Sequence, residues 1–435
     1  MSTITHARVA RIAVPVVLSN ATVPLLGAVD TAVIGQLGQA APLGAVGMGA
    51  VVLATLYWAF GFLRMSTSGL AAQATGAGDG PERSAVLLRA MLVAGAAGFA
   101  LILLQGPLFA ACFALAPASA EVERLAHTYL AIRIWGAPAT IALYALTGWL
   151  VGVERTRGVL ILQLWQNGLN IGLDLWFVLG LGWGIEGVAA ATLIAEMTGL
   201  MLALWLARDA LTPAVLRAGL ARLWDRLALG RMFTASRDIM ARTILLQLSF
   251  TSFVFLGARF GDVTLAANQV LMQFLEITAY ALDGFAIAAE TLVGQAMGAR
   301  APADLRRSGR ICMQWGFGGA ALLALCFAAL GGPIIDLMTT APEVRVEARS
   351  YLWWLAAAPL IGVASWIYDG IFIGALQTRA MLGTMACSVA VYVAALAALI
   401  PLMGNHGLWA ALMVLNASRG LTMRWIYPRV LERSA

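Results

Sequence analysis

The chain has 435 residues, 61% of them hydrophobic and 11% charged, with a mean hydropathy of +0.84 and a formal net charge of +6. Soluble domains carry about 25% charged residues, so this composition excludes an ordinary soluble domain and points to an integral membrane protein. Every basic residue is arginine, and most stand in short loops between apolar blocks, which fits membrane topology rather than nucleic-acid binding.

A block of about 20 apolar residues crosses a bilayer as a helix. Twelve such spans are read: residues 12–37, 43–70, 86–112, 126–151, 158–181, 186–207, 233–257, 264–292, 311–335, 350–375, 380–402 and 405–427. THARVARIAV leads straight into the first, so no cleaved signal is expected. Eighteen arginines fall in one set of alternate loops and four (Arg124, Arg259, Arg345, Arg349) in the other. That asymmetry predicts that both termini are cytoplasmic.

A carboxylate at the centre of a bilayer helix costs about 2.5–3.5 kcal/mol on insertion scales, so each intramembrane charge calls for a partner or a function. The first span carries Asp30 within VPLLGAVDTAVIG, and the second carries Arg64. The fifth, LWQNGLNIGLDLWF, sets Asn167, Asn170 and Asp174 at i, i+3 and i+7, on one helical face. The sixth adds Thr192 and Glu196. Two amides and a carboxylate offer oxygens to a hard cation such as Na⁺; the carboxylate can instead hold a proton. The plainer alternative is that the asparagines tie helices together.

Residues 208–231 predict an amphipathic helix on the cytoplasmic surface, with Leu216, Leu220, Leu223 and Leu227 on its apolar side. The chain thereby divides into an N-lobe (1–207), this linker (208–231) and a C-lobe (232–435). The seventh span opens with Arg237, Asp238 and Arg242. The eighth places Glu276, Asp283 and Glu290 at steps of seven with Tyr280 between, so Arg242 is expected to partner one of these acids. Tyr368 and Asp369 lie in the tenth span and Arg419 in the twelfth. Cys112, Cys312, Cys326 and Cys387 lack metal-ligand or CxxC spacing and read as small buried hydrophobes.

An internal repeat runs at an offset of 222. LAAQATGA (70–77) aligns with LVGQAMGA (292–299), and GWLVGVERTR (148–157) with GIFIGALQTR (370–379). Each half therefore has six spans and enters the membrane in the same sense, a parallel repeat found among secondary transporters. Gly76 and Gly298 are expected as helix C-caps, and Gly148/Gly152 and Gly370/Gly374 as close-packing GxxxG pairs. The carboxylates are not duplicated: Asp30 falls opposite Ser252, Asp369 opposite Thr147, Asp283 opposite Gly61 and Asp174 opposite Leu396.

PVVLSNATVPLLGAVDTAVIGQLG (15–38), LRMSTSGLAAQATGA (63–77), NIGLDLWFVLGL (170–181), ALDGFAIAAETLVGQAMGAR (281–300) and YDGIFIGALQTR (368–379) resemble the multidrug and toxic compound extrusion family, DinF branch. The resemblance implies two six-helix lobes around a central cleft. It also implies export of amphipathic, often cationic compounds driven by H⁺ or Na⁺ through alternating access. Asp30 matches the family's first-span cation-site acid, Asn170 and Asp174 its fifth-span NxxxD pattern, and Thr192 a sixth-span hydroxyl. Asp369 resembles a tenth-span Na⁺ acid of the NorM branch. That branch also uses a seventh-span Glu, which ARTILLQLSFTSF lacks, Gln247 being its nearest polar residue.

The expected protein is a monomeric antiporter, not an enzyme, without a cofactor and with no nucleic-acid partner. Its coupling ion, H⁺ or Na⁺, would bind at Asp30, Asn170, Asp174 and Thr192, with Asn167 and Glu196 in support. A Na⁺ would be held by Asp30, Asn170 and Asp174. Asp369, Tyr368, Glu276, Asp283 and Arg242 are the C-lobe candidates for coupling or substrate. The first span is expected to bend near Pro24. A flippase for lipid-linked sugars or other amphipathic metabolites is the alternative; the few intramembrane arginines (Arg64, Arg242, Arg419) count against it.

Overall fold

The computed structural model describes residues 3–36, 40–115 and 118–432; the side chains of residues 23–28 and 31 lie outside the description. The side chain of Pro24, the expected bend point, is among the latter. Every regular element among the described residues is a helix.

Each span read from the sequence becomes one helix or a helix with a short break. In the first half these are α1 (His6–Gly35), α2 (Ala40–Trp58) with α3 (Phe62–Gly76), α4 (Gly80–Leu103) with α5 (Gln105–Leu115), and α6 (Ala120–Arg133) with α7 (Ala137–Gly152). They continue with α8 (Thr156–Asp174), which runs into a π turn at Leu175–Gly180, and α9 (Gly184–Leu206). The linker holds α10 (Pro213–Ala221). The second half has α11 (Arg226–Gly257), α12 (Asp262–Gly298), α13 (Pro302–Met338), α14 (Pro342–Gly374), α15 (Thr378–Met403) and α16 (Asn405–Glu432). Among the described residues nine helices are long and apolar enough to cross a membrane by length and composition.

Two compact units form, one of residues 18–232 and one of residues 1–17 with 233–435. Each has its own apolar core. The first gathers Leu53, Leu130, Ile141 and Val188; the second gathers Phe274, Leu355, Trp409 and Leu412. Residues 1–17, counted with the N-lobe above, thus pack in the second unit. Arg8 Nη2 donates to Gln295 Oε1 at 2.9 Å. Gly284 lets the Ala13 carbonyl and the Val17 side chain lie where a Cβ would stand, 2.7 and 2.6 Å from it.

The repeat is visible in the backbone. A Cβ on Gly148 would strike the Arg64 carbonyl and one on Gly152 the Ser68 carbonyl; Gly370 and Gly374 meet Ala286 and Glu290 in the same way. These contacts correspond pairwise at the offset of 222 and hold α3 against α7 and α12 against α14. Left-handed residues also recur: Gly78 (φ 68) with Arg300 (φ 52), Glu154 (φ 61) with Leu376 (φ 52), and Gly182 (φ 72) with Gly404 (φ 58). Gly76 and Gly298 are the last helical residues rather than the left-handed caps. The Asp79 and Ala301 N–H groups reach back to the Ala74 and Ala296 carbonyls at 3.0 and 2.9 Å, so the left-handed residue is the second one past each glycine, as in a Schellman turn.

The linker differs from the single amphipathic helix expected. Only nine residues are helical in α10; Leu220 is exposed and Leu227 already belongs to α11. Protein contacts hold it. Arg89 Nε and Nη2 donate to the Leu223 and Arg222 carbonyls at 3.2 and 2.5 Å, and Ser84 Oγ donates to the Ala210 carbonyl at 2.7 Å. Arg222 Nη1 lies 2.6 Å from Asp79 Oδ2. Partial burial opposes ionisation of Asp79, but the Glu82 N–H and the Arg222 guanidinium outweigh it and hold the carboxyl below the usual carboxylate range.

Candidate functional site

In the first unit α1, α8 and α9 bring together Asp30, Asn170, Asp174 and Thr192. The NxxxD spacing places Asn170 one turn before Asp174, and Asn170 Nδ2 donates to Asp174 Oδ2 at 2.9 Å and to Thr192 Oγ1 at 3.4 Å. Thr192 in turn donates to the Val188 carbonyl at 3.0 Å. The Asp30 carboxyl lies beside that of Asp174, close enough for the two to interact. Asn170 and Asp174 are 1% and 0% exposed.

Among the described residues, three buried oxygens here, Asp30 Oδ1, Asn170 Oδ1 and Asp174 Oδ1, have no hydrogen-bond donor. An unsatisfied buried acceptor costs about 1–3 kcal/mol, and two carboxyl groups in contact need a proton or a cation between them. The donor set suits either H⁺ or Na⁺: carboxyl oxygens accept a proton, and carboxyl plus amide oxygens suit a hard cation. Among the described residues no three His, Cys, Asp or Glu side chains form a metal-binding group. The π turn begins immediately after Asp174, and such turns are frequent where a helix carries function.

Asn167 lies outside this cluster. Its Nδ2 donates to Thr22 Oγ1 and O at 2.9 and 3.2 Å, and Gln163 donates to its Oδ1 at 3.0 Å. It ties α8 to α1. Glu196 accepts two hydrogen bonds from Arg133, at 2.7 and 3.0 Å. Arg133, buried at the end of α6, escaped the sequence reading, as did Arg89; an arginine and a glutamate in separate spans of one half were the available signal. The positive charge of Arg133 acts on both Asp30 and Asp174.

The second unit arranges its charges differently. Arg242 pairs with Asp369 Oδ2, not with an eighth-span acid as its position predicts. Arg419 Nη2 also reaches that oxygen, at 2.7 Å, and its Nη1 donates to Asn416 Oδ1 at 3.3 Å. Two guanidinium groups on one carboxylate leave this triad with an excess positive charge. Tyr368 turns away from it to pack on Tyr427 with ring centroids 5.6 Å apart. Glu276 lines a cavity of about 390 Å³ with Gln247, Gln269, Gln273, Trp366 and Arg419. Asp283 and Tyr280 are half-buried or exposed on the same helix. The spacing of Asn268 and Asn405 gave no hint of their reciprocal amide pair, 2.8 and 3.0 Å, which Trp409 Nε1 joins at 2.9 Å.

A duplicated six-span helical bundle with charged groups buried in each copy defines a multi-pass membrane transporter. The MatE family matches residues 15–176 and 239–399, and the chain belongs to that family. DNA damage-inducible protein F of Escherichia coli (strain K12) is 41% identical over 419 residues, covering 96% of this chain and 91% of that protein; it bears out the resemblance to the DinF branch. Protein DETOXIFICATION 44, chloroplastic, of Arabidopsis thaliana is 27% identical over 434 residues, 95% of this chain and 80% of that one. A crystal structure of MATE in the straight conformation shares the fold, with a TM-score of 0.87 at 18% identity over 98% of this chain and 96% of the other.

Proposed function

We propose that this transporter is a monomeric antiporter of the bacterial inner membrane, with both termini cytoplasmic, that exports amphipathic, often cationic organic compounds in exchange for H⁺ or Na⁺. The observation that carries the reading is the cluster of Asp30, Asn170 and Asp174, with three buried oxygens that lack a donor among the described residues. A proton or Na⁺ entering there removes the mutual repulsion of the two carboxyl groups; its departure restores it. The arrangement of α1 and α8 therefore depends on ion loading, and a ligand shifts a conformational equilibrium only through such a difference between states. The Glu276 carboxylate and the Trp366 ring in the second unit's cavity suit an organic cation, and the Arg419 guanidinium that also lines it is tied to Asp369.

The flippase alternative gains little support: Arg133, Arg242 and Arg419 each face a carboxylate, and Arg64, whose buried Nη1 has no hydrogen-bond partner among the described residues, is a single cation rather than an arginine-rich cleft. Proteoliposomes with ΔpH and ΔNa⁺ imposed separately test the reading. Efflux is expected to follow one gradient and to stop in Asp30→Asn while the protein still inserts. Undiminished gradient-driven efflux in that variant would sink it.

A further inference from the structure

The second unit carries a feature that ion coupling does not use. Beside the first turns of α13 a cavity of about 520 Å³ is lined by Arg306, Arg310, Gln314, Tyr368, Arg424 and Tyr427. Among the described residues none of the three arginines has a carboxylate partner. Gln314 also lines a second cavity of about 460 Å³, whose other walls are His6, Phe285, Trp315, Gly318, Gly319 and Leu322. The two cavities thus adjoin along one face of α13, cationic at the helix start and apolar further in. From Gln314 to Leu322 the helix rises about 12 Å, close to half of a hydrocarbon core about 30 Å thick.

We propose that this paired cavity is a binding site for an anionic phospholipid. The phosphate sits among Arg306, Arg310 and Arg424, and one acyl chain lies along Phe285, Trp315, Gly318 and Leu322. Guanidinium groups bind phosphate oxygens through paired N–H donors, and the Tyr368 and Tyr427 hydroxyls add donors at the cavity wall. Basic pockets between spans recognise anionic headgroups by this chemistry. The apolar extension decides for a lipid over free phosphate, since a phosphate ion has no use for an apolar groove. On the orientation proposed above, the lipid belongs to the cytoplasmic leaflet.

Native mass spectrometry of the full-length protein, released from detergent with equal phosphatidylglycerol and phosphatidylethanolamine, tests this. Wild type should retain phosphatidylglycerol in preference. Removing one arginine should weaken retention about fivefold, and Arg306→Ala/Arg310→Ala/Arg424→Ala about 100-fold. Gly318→Leu should weaken it with no change of charge; a Cβ there meets no atom within 4 Å, so folding is spared. An equal charge loss at Arg217, Arg226 and Arg231 should leave retention unchanged. The proposal is overturned if the triple variant keeps wild-type preference, or if the control triple loses it equally. It is also overturned if inorganic phosphate strips the lipid while Gly318→Leu binds normally, the pattern of a free-phosphate site.

Discussion

At equivalent positions the two halves hold different chemistry. Where the first has Asp30 and Asn170, the offset of 222 puts Ser252 and Tyr392 in the second, two hydroxyls 3.1 Å apart that both reach the Ser249 carbonyl. Conversely, Arg242, Asp369 and Arg419 fall on Asn20, Thr147 and Met197, and the Arg133–Glu196 pair falls on Leu355 and Ser418. The packing contacts of Gly148, Gly152, Gly370 and Gly374 are shared, whereas the charges are not. Backbone approach is required by both bundles; on the function proposed above, ion chemistry is required by one. A hydroxyl pair keeps its hydrogen bonds whatever the gradient, while a carboxyl pair must change with its load.

The sharpest way to break this comparison is to neutralise each counterpart. Asp174→Asn should abolish coupling worth about 1–3 kcal/mol, about 5–150-fold in gradient-driven efflux. Ser252→Ala should leave efflux within about twofold, since a net hydrogen bond contributes only about 0.5–1.5 kcal/mol. Equal losses in vesicle transport would erase the distinction.

The buried ion pair comes next. Arg133→Met leaves Glu196 buried and uncompensated, and should destabilise the first unit by about 3–5 kcal/mol. Arg133→Met/Glu196→Gln should recover most of that, read as thermal unfolding in detergent. Failure of the double variant to recover would mean that Arg133 acts mainly on Asp30 and Asp174.

The shared scaffold predicts a symmetric response. Gly148→Ala and Gly370→Ala each press a methyl group on a backbone carbonyl, and each should cost about 1–3 kcal/mol. A large effect in one half alone would show that the repeat's packing has diverged.

The smallest effect is expected at the N-cap of α4. Asp79 accepts from the Glu82 N–H at 3.0 Å, so Asp79→Ala should cost about 1 kcal/mol near neutral pH. Its folded-state pKa lies below the unfolded value, so its contribution is complete above the usual carboxylate range and is lost as pH falls through the lowered value. The difference between wild type and variant should therefore shrink on acidification; a difference independent of pH would assign the effect to packing.

Much of this was legible in the chain itself. The spans show as apolar blocks, the duplication as motifs in register, and the Asn170–Asp174 pair as a one-turn spacing. Partners from distant spans were not legible. Arg242 could have met any acid of α12, and only the packing of α14 and α16 brings Asp369 and Arg419 to it. Asn167 shares a helical face with Asn170, yet three residues of travel along α8 carry it to Thr22 and away from Asp30 and Asp174. Breaks such as the turn at Ile134–Gly136 leave no mark on hydropathy, because apolar residues fill them.

The docking of residues 1–17 onto α12 has a practical corollary for anyone who wishes to take the protein apart. Scission of the 208–231 linker looks like the natural way to obtain two half-transporters. It would instead yield one fragment with a stray N-terminal segment and another with the seat at Gly284 and Gln295 left bare. The two repeats share an ancestry but not a clean seam, and a tidy division would have to run through the middle of the first helix.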